Sequence, residues 1–79
     1  MPTLLKIKGY RFYFHSNELG EPPHVHVDKD GRSAKFWLES VTVARNHHLT
    51  SLELREIGRI ISSHRIDFIG RWHEHFDSH

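Results

Sequence analysis

The run EPPHVHVDKDG, residues 21–31, sets His24, His26 and Asp28 on alternate positions. On a β-strand such positions share a face, with neighbours about 6.6 Å apart at a rise of ~3.3 Å per residue. Two imidazoles so placed can converge on one metal ion, at about 2.0–2.1 Å from each nitrogen. Asp28, or His15 from a neighbouring strand, could then add a third ligand. The same imidazoles also suit acid–base or phosphate-contacting work, because their neutral and protonated forms are both accessible near neutral pH. Ribonucleolytic chemistry needs little more than these and a group that stabilises developing charge, for which Arg11, Lys35 and Tyr13 are candidates. A third reading is structural. Pro22 and Pro23 stiffen the start of an edge strand, and His24 and His26 hydrogen-bond locally.

Residue types leave all three readings open, although spacing removes some versions of the first. A cupin HxH pair comes with a following Glu and two glycine-bounded motifs that are absent here. In the metallo-hydrolase run HxHxDH the last histidine is replaced by Lys29. No metal is therefore assigned, and His24 and His26 stand as the candidate catalytic or ligating pair. The other histidines offer less. His73 and His75 are two apart in a helical stretch and do not share a face; His75 and His79 have i,i+4 spacing, but His79 is the last residue. His47 and His48 read as loop residues before a helix, and His64 as a hydrogen-bonded, partly buried side chain.

The elements that must position these residues follow from turn chemistry and periodicity. TLLKIK and YRFYFHS meet at Lys8-Gly9, HVHVDK and RSAKFWL flank Asp30-Gly31, and VTVAR follows Glu39-Ser40. A longer loop is expected from Asn17 to Pro23. After Thr50, Leu54, Ile57, Ile61, Phe68, Trp72 and Phe76 recur at helical intervals, and Thr50 with Glu53 forms a capping-box signature. Gly58 and Ser62-Ser63 predict a bend or split near Ser63. The helical residues Arg55, Arg59 and Arg65 read as a solvated face shared with Glu53, Glu56 and Asp67. The expected fold is α+β in a single domain, residues 1–79. An antiparallel sheet of four or five strands (about 3–46) carries a long C-terminal helix (about 50–77) on one face.

Strand parity then sorts the side chains. Leu5, Ile7, Tyr10, Phe12, Phe14, Val25, Val27, Ala34, Phe36, Leu38, Val41 and Val43 fall on the side the helix can cover. Lys6, Arg11, Tyr13, His15, His24, His26, Lys35, Trp37 and Thr42 fall on the other. A wet sheet face is ordinary, but aromatic rings among cations and histidines suggest a binding surface made of Arg11, Tyr13, His15, His24, His26, Lys35 and Trp37.

Composition bounds the rest. The 79 residues contain no cysteine, which removes disulfides, thiolate nucleophiles and cysteine-based zinc sites. No apolar run has the length of a membrane span, so a soluble, cytoplasmic protein is expected. The net charge of +1 argues against holding nucleic acid by bulk charge, while nine histidines permit a local basic site.

MPTLLKIKGYRFYFHSNELGEPPHVHV, AKFWLESVTVARN and ELREIGRIISSHRIDFIGRWHEHF together resemble the DUF4160 family, a small bacterial domain of unknown function. The most specific element is Pro22-Pro23-His24-x-His26. The resemblance implies a small protein whose gene often lies beside that of another small protein, as in toxin–antitoxin-like pairs. It implies no catalytic or metal residue, and transfers His24 and His26 only as motif positions. The expectation is a cytoplasmic binding protein that uses its open basic and aromatic sheet face for a partner protein encoded nearby or for RNA. A homodimer is compatible with its exposed edge strands. The alternative is a histidine-dependent ribonuclease or metal-assisted hydrolase centred on His24 and His26.

Overall fold

The computed structural model describes residues 3–15 and 20–77. The chain forms five strands, β1 (Thr3–Ile7), β2 (Tyr10–Tyr13), β3 (His24–Lys29), β4 (Arg32–Trp37) and β5 (Thr42–His47), followed by one helix, α1 (Ser51–Phe76). Each strand pairs antiparallel with the next, so the sheet is a meander in the order β1-β2-β3-β4-β5 and the fold is α+β. Part of the expected loop from Asn17 to Pro23 lies outside the described residues, as does His79.

Two turns set the register. Lys8 and Gly9 have φ of 53° and 84°, and Asp30 and Gly31 have φ of 50° and 77°. Positive φ at both central residues is the type I′ geometry, whose twist matches that of the flanking strands. From these turns the ladders place Phe12 against Val27, Val27 against Ala34, and Val25 against Phe36. These side chains therefore share one face with Tyr10, Phe14 and Leu38, and all are buried. Ile7 and Val43 have the expected parity but lie near the open sides of the sheet, where they are 36 % and 43 % exposed. Leu5 and Val41 are partly buried against the core.

The helix covers this face with Ile57, Ile60, Ile61, Phe68, Trp72 and Phe76. Trp72 meets Phe14 edge-on at 5.3 Å and Phe76 at 4.1 Å. Full burial of each large apolar side chain contributes roughly 1.5–3 kcal/mol. The split expected as one outcome near Ser63 does not occur, and α1 runs unbroken from Ser51 to Phe76. Ser63 Oγ donates to Arg59 O (3.1 Å), and His64 Nδ1 donates to Ile60 O (2.9 Å) while its ring stacks on Phe68. Continuous packing from Ile57 to Phe76 outweighs the cost of Gly58, about 1 kcal/mol relative to alanine.

Polar contacts tie the helix down around the rim of this core. Near its start, Arg32 grips Glu53 with two bonds of 2.5 and 2.9 Å, and Tyr10 Oη donates to Glu56 (2.9 Å). Further along, Arg65 Nε reaches the carbonyls of Leu38 and Glu39, and Arg71 reaches that of Leu4. Glu53 and Glu56 are thus sheet anchors, in contrast to the solvated face expected for them with the helix arginines. Thr50 closes the capping box with Glu53 as its sequence predicts.

Glu53 also gives the fold a pH dependence. Arg32, and then the backbone N–H of Thr50, hold its carboxyl down from the ordinary 4.5 to about 2; Glu56 is lowered too, first by the Tyr10 hydroxyl. A folded pKa below the unfolded one gives stability that is complete above about pH 4.5 and lost as pH falls towards 2. Denaturant midpoints measured across that window should fall more steeply for wild type than for Glu53→Gln. Equal slopes would contradict the anchoring role.

Candidate functional site

Residues opposite one another in an antiparallel ladder project to the same side, so the uncovered face is organised in rows. One row runs Lys6, Arg11, Asp28, Ser33, His47, and the next runs Thr3, Tyr13, His26, Lys35, Arg45. A third holds His24, Trp37 and Thr42. Arg45 and His47 owe their places to a bulge. Val43 pairs with Phe36 and Arg45 with Lys35, so Ala44 is the extra residue that switches the strand's parity. His47 therefore ends β5 on the open face and is not a loop residue. The sequence held one clue: uninterrupted alternation from Val41 and Val43 would have aimed Arg45 and His47 into the core.

Several residues expected to form a binding surface are instead committed to one another. Tyr13 is 9 % exposed, with His26 stacked on it (5.6 Å, 26° between planes), His15 edge-on at 5.4 Å and the Arg11 guanidinium 4.4 Å from its centroid. Its hydroxyl donates to Asp28 (3.0 Å), and burial followed by that bond pushes its pKa up to about 12. Tyr13 is thus a protonated structural phenol with little free ring surface. Arg11 also bonds Thr3 Oγ1 (3.0 Å) and sits 3.7 Å from Asp28. Lys35 lies 4.8 Å from the Trp37 ring and is bound by Glu21 at 2.6 Å.

His24 departs furthest from expectation. It has open-face parity, yet it is completely buried, because Trp72 of the helix reaches it at 4.9 Å while Trp37 and His26 close on it at 5.6 and 5.2 Å. Its Nδ1 lies 2.9 Å from the Pro22 carbonyl. A carbonyl only accepts, so this nitrogen carries the proton. The prolines do not start an edge strand, since β3 is the central strand; Pro23 extends its ladder by accepting from Leu38 N (3.0 Å). The HxH pair accordingly divides, His24 into the core and His26 onto the face. Among the described residues, no group of three or more His, Asp or Glu side chains is placed to hold a metal ion.

What the face does present is a hollow of about 210 Å³ over β4. His15, His26, Ser33, Lys35, Arg45 and His47 line it above Tyr13 and Ala34, and among the described residues no carboxylate lines it. A larger hollow, about 510 Å³, opens beside the two type I′ turns, where Lys6, Lys8, Arg11 and Lys29 are offset by Asp28 and Asp30. The smaller hollow has the sharper chemical character, because its donors are concentrated and the described charged residues of its lining are all basic, with Glu21 paired to Lys35.

A family model described as "Domain of unknown function (DUF4160)" matches residues 9–73. The chain belongs to the DUF4160 family. Searches of the curated proteins and of the solved structures found no match. The DUF4160 match runs from the first hairpin turn to the end of α1 around His73, so it takes in Trp72, both histidines of the HxH pair and every residue lining the smaller hollow.

The two fates of neighbouring imidazoles in this DUF4160 protein can be measured. His24→Ala should cost about 2–4 kcal/mol in urea unfolding, within the range for truncating a buried side chain. The half-buried His26→Ala should cost less, about 1 kcal/mol. Similar losses for the two would contradict the division.

Proposed function

We propose that this DUF4160 protein is a cytoplasmic RNA-binding module of a toxin–antitoxin-like pair, and that its open sheet face holds the RNA mainly by phosphates. The observation that carries this reading is the donor-rich hollow, where Arg45, Lys35, Ser33 and the imidazoles stand at close quarters. Phosphate oxygens are what such donors suit, through charge-assisted hydrogen bonds. Base stacking is a smaller part of the binding than sequence parity suggests, because Tyr13 is enclosed by its neighbours. Glu21, on Lys35, occupies the place an anionic ligand would take, so binding exchanges one anion for another. With a net charge of only +1, the contact is local and involves about two or three phosphates. The pairing with a second small protein is supported by family resemblance; expression that arrests growth, and is relieved by the neighbouring gene, is its expected signature.

Fluorescence anisotropy with labelled single-stranded RNA tests the surface. Log affinity should fall with log salt at a slope of about −1.4 to −2, from roughly −0.7 per phosphate on a single strand. Arg45→Ala should weaken binding at least about fivefold and Glu21→Gln should strengthen it, each change corresponding to about 1 kcal/mol of a charge-assisted contact. No complex at low salt would remove the RNA reading. Retained binding of the neighbouring protein through the same face would then assign the surface to that partner.

A further inference from the structure

The hollow is unusual for a surface that only holds phosphate, because three of the eight described residues that line it are histidines. Lysine and arginine suffice for binding; imidazole adds the ability to give and take a proton near neutral pH. The arrangement is also two-sided. His26 stands on β3 and His47 on β5, flanking the central β4 of the hollow. Two strand spacings and two residues of rise separate their backbones by about 12 Å. Their side chains line the same 210 Å³ hollow, with Lys35 and Arg45 in the row between and beside them and Ser33 directly opposite His47.

His26 is oriented by its neighbours. Tyr13 stacks on one side and His15 meets the ring edge-on at a centroid distance of 4.0 Å. Lys35 is held by Glu21 until a ligand replaces that carboxylate. On the opposite side, His47 is exposed and Arg45 shares its strand.

We infer that the hollow cleaves single-stranded RNA by 2′-hydroxyl transesterification, with His26 and His47 as the proton-transfer pair and Lys35 and Arg45 clamping the phosphate. This inference rests on the RNA-binding reading above. The 2′-oxygen attacks phosphorus and passes its proton to neutral His26 as the new O–P bond forms. The bond from phosphorus to the 5′-oxygen breaks, and the departing oxygen takes a proton from protonated His47. The products are a 2′,3′-cyclic phosphate and a 5′-hydroxyl. The proton gained by His26 and the one lost by His47 exchange through solvent, so no metal, oxidant or second substrate is consumed. Lys35 and Arg45 stabilise charge gathering on the non-bridging oxygens, and Ser33 is placed to donate to one of them.

The experiment uses the full untagged chain in EDTA with a 5′-labelled single-stranded RNA and the same sequence carrying 2′-deoxyribose. Cleavage of the RNA to 2′,3′-cyclic ends, an intact deoxy strand, and losses of at least about 100-fold in His47→Gln and in His26→Ala with affinity changed less than about threefold would support the inference. His47→Gln guards against loss of folding, since its side chain is exposed at the end of β5; unchanged thermal unfolding by circular dichroism verifies that. RNA bound but uncut overturns the catalytic inference and leaves the binding reading standing. No RNA bound overturns both. Cleavage surviving in both histidine variants assigns the activity to something other than this pair and also overturns it.

Discussion

The sheet has one face that must be covered and a single helix to cover it. Ladder pairing forces Phe12, Val25, Val27, Ala34 and Phe36 onto one side together, and water is excluded from them only by the stripe running from Ile57 to Phe76. The helix, about 39 Å long at 1.5 Å per residue, is nearly twice the length of a six-residue strand. It can therefore cross the sheet and still extend Trp72 and Phe76 beyond the core row to Phe14 and His24. Anchors at Glu53, Glu56, Arg65 and Arg71 fix its direction without adding charge to the core, because each bonds a group at the sheet rim.

Covering one face with α1 leaves the other to solve its own electrostatics. Most of it does so by internal pairing. Asp28 holds both Arg11 and the Tyr13 hydroxyl, and Glu21 holds Lys35. These are partly exposed pairs, each individually worth about 1 kcal/mol or less, so a ligand that offers better-placed anionic oxygens can displace them. The hollow over β4 gathers basic side chains from two strands. Arg45 arrives there through the Ala44 bulge, and among the described residues no carboxylate joins it in the lining. A one-residue irregularity at an edge strand thereby converts a polar sheet face into a site with a sign.

Features governed by local rules could be read from the sequence. Lys8-Gly9 and Asp30-Gly31 specify their turns through positive φ, the turns specify register, and a period of two then sorts the core through Leu38. Thr50 and Glu53 likewise form their box within four residues. Features set by competition between distant parts could not be read this way. Helical continuity through Ser63 depends on packing at Ile60, Ile61 and Phe68, whereas propensity sees only the serines. Glu53 has arginines along its own helix, but its partner Arg32 lies across the fold. Of the surface expected from parity, Tyr13, His15, His26 and Lys35 reach the hollow, while Arg45, His47 and Ser33 join them through the bulge and the hairpin register.

The HxH pair shows why a motif on a strand need not be a single device. His24 and His26 leave the backbone on the same side, but burial is not decided by parity alone at the end of a strand. There the helix extends past the sheet, and Trp72 reaches a ring that two residues further along would be out of its range. Pro22 supplies the carbonyl that fixes His24, and Pro23 lengthens the β3–β4 ladder by one bond, so the proline pair belongs with the buried histidine. Glu21, one residue before them, belongs with the face, since it binds the lysine opposite His26. The short run thus couples the two sides of the sheet: the same segment that locks the core through His24 holds an anion at the mouth of the hollow. Glu21 is exposed while His24 is completely buried, so the two ends of the run differ sharply in their access to solvent. The run is thus anchored at its buried end and open to solvent at the other.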